Sequence, residues 1–294
     1  MNHPLPTVEG RARTAQAPQS LRLGTGHTAA DPELATAHRW LAEGVPAMIV
    51  EVVAARGSVP RGVGTRMLVG PHTTAGTIGG GHLEWEAIAR CRDRLAAGDH
   101  HTLDWPVALG PSLGQCCGGA LTLRLAPLTA DNLHHWPATR PRFRLHLFGA
   151  GHVGRAIVQV LAGVPCQVVW IDEREREFPP DATSWPHVEP VCVEPVEAEV
   201  AEGRPGDAYL VLTHSHALDL AITEAILRRG DFGWFGLIGS ATKRARFESR
   251  LRQRGFDAAT LARMTCPIGV PGLAGKQPAV IAIATAAQLL GIYP

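Results

Sequence analysis

The stretch "FRLHLFGAGHVGRAIVQVLAG", residues 143–163, constrains the fold more than any other part of the sequence. An apolar run leads into Gly149, Gly151 and Gly154, spaced G-x-G-x-x-G, and an apolar helical pattern follows. "CQVVWIDER" then reads as a second strand that ends at Asp172. In this setting the first glycine permits a tight turn, the second lets a phosphate approach, and the third allows close helix–strand packing. The helix start offers free N–H groups to an anion, and the acid can accept from a ribose hydroxyl. Three more strand patterns, "VEPVCVEP", "DAYLVLTHSH" and "WFGLIGS", alternate with helical runs. That alternation predicts a doubly wound parallel sheet, a Rossmann-like domain over 143–294. A fold does not fix its ligand, so glycines that serve packing alone remain an alternative.

The first half has a different texture. Residues 33–43 read as a short amphipathic helix, and "PAMIVEVVAARG" as a buried strand. In "AGTIGGGHLEWEAIARCRDRLAAG" a glycine turn opens a helix, with Leu83, Ala87, Ile88 and Leu95 near helical spacing. "HTLDWPV" and "GALTLRLAPL" read as strands flanking a loop. The expected organisation is therefore α/β, with a smaller α+β domain over 31–128 before the Rossmann-like domain. Residues 1–30, without periodicity, are expected to be a flexible tail, and the polar, Pro-containing 129–142 a linker.

Composition excludes several partner classes. A net charge of +1 gives no global field for nucleic acid or an anionic membrane. No window of 18 apolar residues suggests a membrane span, and the start lacks the apolar core of a secretory signal. The six cysteines form no disulfide framework, which fits a reducing cytoplasmic compartment.

Five stretches carry candidate chemistry. In "LGQCCGG", Gln115, Cys116, Cys117 and Gly118 place two thiols on the loop between strands. Adjacent cysteines bond to each other only with a strained peptide. As free thiols they could offer soft sulfur to a metal or carry a persulfide; one packed and one exposed by accident is the other reading. Gly79 and Gly80 in "GTIGGGHLE" could form an anion nest of backbone N–H groups, or a plain turn before a helix. "THSHALD" puts His214, His216 and Asp219 just past a strand's carboxyl end, where ligands bind in open α/β sheets. The acid comes one residue late for the zinc pattern H-x-H-x-D-H, so ligand contact or a helix start fits better. "IGSATKR" brings Ser240 and Lys243 to the same kind of edge, and Lys243 and Arg244 could meet a phosphate. Arg246, Arg250, Arg252 and Arg254 continue the basic helix, as a surface for an acidic partner or a solvated face.

Taken together, "GSVPRGVGTRMLV", "GTIGGGHLE", "LGQCCGG", "LFGAGHVG", "WIDER", "THSHALD", "LIGSATKR" and "CPIG", in this order, resemble the XdhC/CoxI family from about Trp40 to Leu290. The resemblance implies a chaperone for the molybdenum cofactor, molybdopterin with its metal, bound transiently. It implies protection of that cofactor during sulfuration with a NifS-like cysteine desulfurase, and delivery to the molybdenum-binding subunit of apo xanthine dehydrogenase. It implies an accessory role with no catalytic residue, and leaves assembly into a homo-oligomer open. Phosphate suits the glycine turns, and molybdenum or its sulfur suits Cys116 and Cys117. The family's usual P-x-E-I-A tail is "PAVIA" here, with Val280 in place of the acid, so the tail is assigned no chemistry. An NAD(P)-dependent oxidoreductase acting on a small molecule is the alternative that the glycine turn allows.

Overall fold

The structure is a computed structural model that describes residues 21–22, 31–109, 118–137 and 139–294. The chain divides into two compact units, one of residues 30–139 and one built from 140–294, to which Leu21–Arg22 contribute. In chain order the elements are β1 (Leu21–Arg22), α1 (Pro32–Ala42), β2 (Met48–Arg56), β3 (Arg66–Val69), β4 (Thr74–Gly76) and α2 (Gly81–Ala96). These are followed by β5 (Leu103–Ala108), β6 (Ala120–Pro127) and α3 (Ala130–His134). The second unit adds β7 (Arg144–Phe148), α4 (His152–Leu161), β8 (Gln167–Asp172), β9 (Val188–Cys192), β10 (Ala208–Val211) and α5 (His216–Arg229). It closes with β11 (Trp234–Leu237), α6 (Ala241–Gln253), α7 (Ala258–Ala262), β12 (Met264–Thr265) and α8 (Pro278–Ile292).

In the first unit, five antiparallel strands run in the order β4-β3-β2-β6-β5. Alternation along β2 sends Met48, Val50 and Val52 to one face, where Leu83, Ala87 and Cys91 of α2 cover them. Ile49 faces the other way and packs with Trp40, Leu68, Leu133 and Trp136. Leu133 and Trp136 lie in the stretch expected to be a linker. Thr129 caps α3 by accepting from the Asn132 N–H, and burial of these two side chains holds most of that stretch in the first unit. The polar composition hid two apolar anchors.

In the second unit the sheet order is β1-β9-β8-β7-β10-β11-β12, with β7 to β12 parallel and β1 antiparallel. The expected α/β class is thus observed. Apolar side chains on both faces of these strands are buried, including Leu145, Leu147 and Trp170 on one side and Phe148, Ile171 and Val211 on the other. Numbered from β7 to β12, the six parallel strands run 3-2-1-4-5-6, so the topological switch point falls between β7 and β10. β1 was not anticipated: Leu21 and Arg22, within the expected tail, pair with Cys192 and Val191 and cover the free edge of β9.

Candidate functional site

The glycine turn joins β7 to α4 at the carboxyl edge of the parallel sheet, beside the switch point. Its three glycines do different work. Gly149 has φ +123°, and a Cβ there would sit 2.5 Å from the Leu212 carbonyl oxygen. A Cβ on Gly154 would sit 2.1 Å from the Gly149 carbonyl oxygen, so this glycine exists for contact between helix and turn. Gly151, by contrast, faces open space: a Cβ there would meet nothing within 4 Å. Gly151 is also the N-cap of α4 and brings no side-chain acceptor to the first helical N–H groups. Ser215 caps α5 through the Leu218 N–H, and Ser240 caps α6 through the Lys243 N–H, so those helix starts are already served. The start of α4 has no such side-chain acceptor on its first N–H groups, and Gly151 beside it leaves open space.

Asp172, expected to meet a ribose hydroxyl, turns inward. It is almost fully buried, and its Oδ2 accepts from the Ala150 N–H at 2.7 Å. Its Oδ1 accepts from the Arg174 N–H and Nε, both at 2.9 Å, and Oδ2 also accepts from Arg174 Nη2 at 3.0 Å. Burial pushes the carboxyl pKa up, but the hydrogen bonds from the Arg174 guanidinium and the two backbone N–H groups outweigh it and hold it below the usual carboxylate range. The acid therefore braces the turn.

Three strand ends further along the edge converge on Lys243. Its Nζ donates to Asp219 Oδ2 at 2.6 Å and to the Ile238 carbonyl at 2.7 Å. Asp219 is fully buried, and its Oδ1 accepts from the Thr213 N–H and hydroxyl at 3.0 and 2.7 Å. Gly239 makes this possible, because a Cβ there would lie 2.7 Å from Lys243 Cδ and 3.2 Å from Cys266 Sγ. The lysine expected to reach a phosphate thus has two of its three N–H groups engaged inside the protein. His214 and His216 are exposed at the same edge, His214 Nε2 lying 3.5 Å from Glu173 Oε1. Along α6, Arg244 and Arg252 pair with Glu248, and Arg254 pairs with Glu224, which leaves Arg246 and Arg250 on the exposed face.

In the first unit the glycine nest is filled by the chain itself. Glu84, in the first turn of α2, accepts on Oε2 from the Ile78 and Gly80 N–H groups at 3.0 Å and from the Thr77 hydroxyl at 2.5 Å. The Gly79 N–H donates to Thr77 Oγ1. The N–H groups of Ile78 and Gly80 thus meet an internal anion, the Glu84 carboxylate, where the sequence left a ligand nest and a plain turn both open. Gly79 also packs on the preceding loop, since a Cβ there would fall 2.3 Å from Pro60 Cβ. That loop meets Gly119: the Gly119 N–H donates to the Ser58 carbonyl at 3.1 Å, and a Cβ on Gly119 would lie 2.4 Å from the same oxygen. Gly118 is exposed with open space around it. Gln115, Cys116 and Cys117 lie outside the described residues. Among the described residues no group of three or more His, Cys, Asp or Glu side chains could hold a metal, and no helix is long and apolar enough to cross a membrane.

Sequence reasoning missed Glu84, Arg174 and the inward role of Asp219. An acid in the first turn after a glycine run was a visible sign of the first. The other two depend on side-chain directions that spacing does not report.

Comparisons with known proteins agree with this division of the chain. A family profile described as the XdhC Rossmann domain matches residues 145–289, and one described as the XdhC and CoxI family matches residues 40–106. The uncharacterized protein YqeB of Escherichia coli (strain K12) is 29% identical over 256 residues, which cover 84% of this chain and 43% of that protein. The chain thus spans less than half the length of this curated relative. A crystal structure described as a xanthine dehydrogenase from Bacillus halodurans superposes with a TM-score of 0.68 at 18% identity, covering 88% of this chain and 95% of that one. That likeness concerns the fold. Two profiles of one family, matched in order along most of the sequence, place the chain in the XdhC/CoxI family.

Proposed function

We propose that this chain is a maturation factor for xanthine dehydrogenase. It binds the molybdenum cofactor as cargo, shields it while a terminal sulfur is installed, and passes it to the molybdenum-binding subunit. Family membership along both units carries this reading. The site contributes one supporting feature: the uncapped start of α4 beside the open Gly151 suits the phosphate of a pterin cargo. Cys116 and Cys117 are the groups proposed for the metal end, since thiolates are soft ligands and sulfur carriers. The sulfur donor is a NifS-like cysteine desulfurase, and Arg246 and Arg250 on the exposed face of α6 offer charge to an acidic partner.

The test is transfer. Protein isolated from a host that makes the cofactor should carry molybdenum and pterin, and should reactivate molybdenum-free xanthine dehydrogenase. Cys116→Ser and Cys117→Ser variants should retain less metal or reactivate more slowly, since a hydroxyl is a harder and far less acidic ligand than a thiol. Absence of molybdenum, pterin and reactivation from the wild-type preparation overturns the reading.

A further inference from the structure

The Asp172–Arg174 pair changes what the glycine turn can select. In a dinucleotide-binding domain the acid at the end of the second strand leaves its oxygens open to a ribose diol, whereas an arginine nearby accommodates a phosphate. Here both oxygens of Asp172 are taken, one by the Ala150 N–H and Arg174 Nη2 and the other by the Arg174 N–H and Nε. A hydroxyl that approached it would find no open acceptor among these contacts.

The guanidinium stands where the acceptor would have been. Arg174 Nη2 and the Ala150 N–H bind the same carboxylate oxygen, so the cation lies directly against the glycine turn. Two of its five N–H groups face Asp172. Nη1 is turned toward Glu177 at 3.6 Å, beyond hydrogen-bond distance, and the side chain is 27% exposed. Donors therefore remain for a ligand, beside the room left by Gly151. Their fork geometry matches the oxygens of a phosphate.

We propose that Arg174 is a specificity-determining residue that makes the edge between β7 and β8 select a ligand carrying a phosphate monoester over one offering a ribose diol. Asp172 is the positioning residue that aims it. This rests on the proposed function in taking the terminal phosphate of a pterin as the source; the 2′-phosphate of NADP⁺ has the same chemistry and serves as the competing source.

The experiment is calorimetric titration of the full chain with four probes: a pterin bearing a terminal phosphate, the same pterin after phosphatase treatment, NADP⁺ and NAD⁺. The phosphate should tighten pterin binding by about tenfold or more, the size of one charge-assisted contact. NAD⁺ should bind weakest. Arg174→Gln should collapse the ratio between the phosphorylated and dephosphorylated pterin toward one, and Arg174→Lys, which keeps the charge and the ion pair without the fork, should fall between. Thermal melts identify any variant that fails to fold, in which case Arg174→Lys carries the comparison. Preference for NADP⁺ over the pterin phosphate keeps the phosphate selection and replaces its source. Equal binding of each phosphorylated and dephosphorylated partner, unchanged ratios in folded Arg174 variants, or no binding of any phosphate-bearing probe overturns the proposal. Phosphate selection without cofactor transfer sinks the maturation role and leaves Arg174 standing; transfer without phosphate selection does the reverse.

Discussion

Lys243 Nζ lies 2.6 Å from Asp219 Oδ2, joining the first turns of α6 and α5 across 24 residues of sequence. Both groups are taken out of water: Asp219 is fully buried, and the lysine side chain is 11% exposed. Removing one partner of such a pair leaves the other charge uncompensated, so Asp219→Asn should cost about 3–5 kcal/mol in urea unfolding. Adding Lys243→Met to that variant removes the stranded ammonium, while the amide oxygen that replaces the carboxylate still accepts from the Thr213 N–H. The double variant should recover at least about 1 kcal/mol over Asp219→Asn alone. Simple additivity of the two single losses would contradict this account of the pair.

Glu84 holds the glycine turn of the first unit through three donors on one oxygen. Glu84→Ala should destabilise by about 1–3 kcal/mol, because the partly buried donors lose their acceptor. Glu84→Gln should lose less than half as much, since an amide oxygen still accepts. Chemical unfolding at neutral pH measures both. An alanine variant as stable as wild type would show that the turn stands without its carboxylate.

Much of the fold was legible because it depends on local pattern. The strand–glycine–helix run at 143–163, and the apolar strands repeated after it, gave the parallel sheet. The β-rich apolar run at 46–57 gave the buried strand of the first unit. The site was less legible, and for one physical reason: polar side chains near a glycine turn are as ready to satisfy the protein's own donors as a ligand's. Sequence spacing located Asp172 and Lys243 at the right edge. It could not say that Asp172 faces the Ala150 N–H or that Lys243 faces Asp219, since those directions are set by packing between elements. The same limit hid β1, whose two residues pair only because β9 offers them an open edge.

Gly151 and Gly154 should separate in mutagenesis although both belong to one motif. Gly154→Ala forces a methyl toward a carbonyl oxygen that an ideal Cβ would approach to 2.1 Å. Despite alanine's better helix propensity, it should cost about 1–3 kcal/mol or more through overpacking. Gly151→Ala meets nothing within 4 Å, and its φ of −70° suits any residue, so stability should hold within about 0.5 kcal/mol. Under the proposed function that second variant should still carry less pterin, because its methyl occupies the space a phosphate would enter. Melting temperatures and pterin content of the two proteins, compared side by side, decide the matter. A destabilised Gly151→Ala variant would mean that the space is already used for packing.

The last expectation concerns acid. His146 is fully buried in β7, stacked on Tyr209, with Nε2 2.8 Å from Asp207 Oδ2. That geometry puts the proton on Nε2, and Nδ1 is buried with no partner among the described residues. Protonating Nδ1 would bury an unpaired N–H, so burial lowers the pKa and outweighs the pull of Asp207 toward the charged form. His187 is lowered as well, by burial, against the opposing effect of the Val158 carbonyl it contacts. A histidine with a depressed folded pKa leaves the unfolded chain as the better proton acceptor. Its neutral form thus contributes fully above the unfolded value of 6.5 and progressively less as pH falls below it. Asp207 adds a separate, more acidic window. Burial raises its pKa, but hydrogen bonds from His146 and the Arg204 N–H leave it lowered overall, so its contribution fades only as pH falls below 3.8. The urea midpoint should therefore be level between about pH 7 and 8 and decline between about pH 6.5 and 5. His146→Gln, whose amide can still donate to Asp207, should be less stable at neutral pH yet show a shallower decline across that window. A wild-type midpoint that stays level down to about pH 5 would mean that neither buried histidine resists protonation.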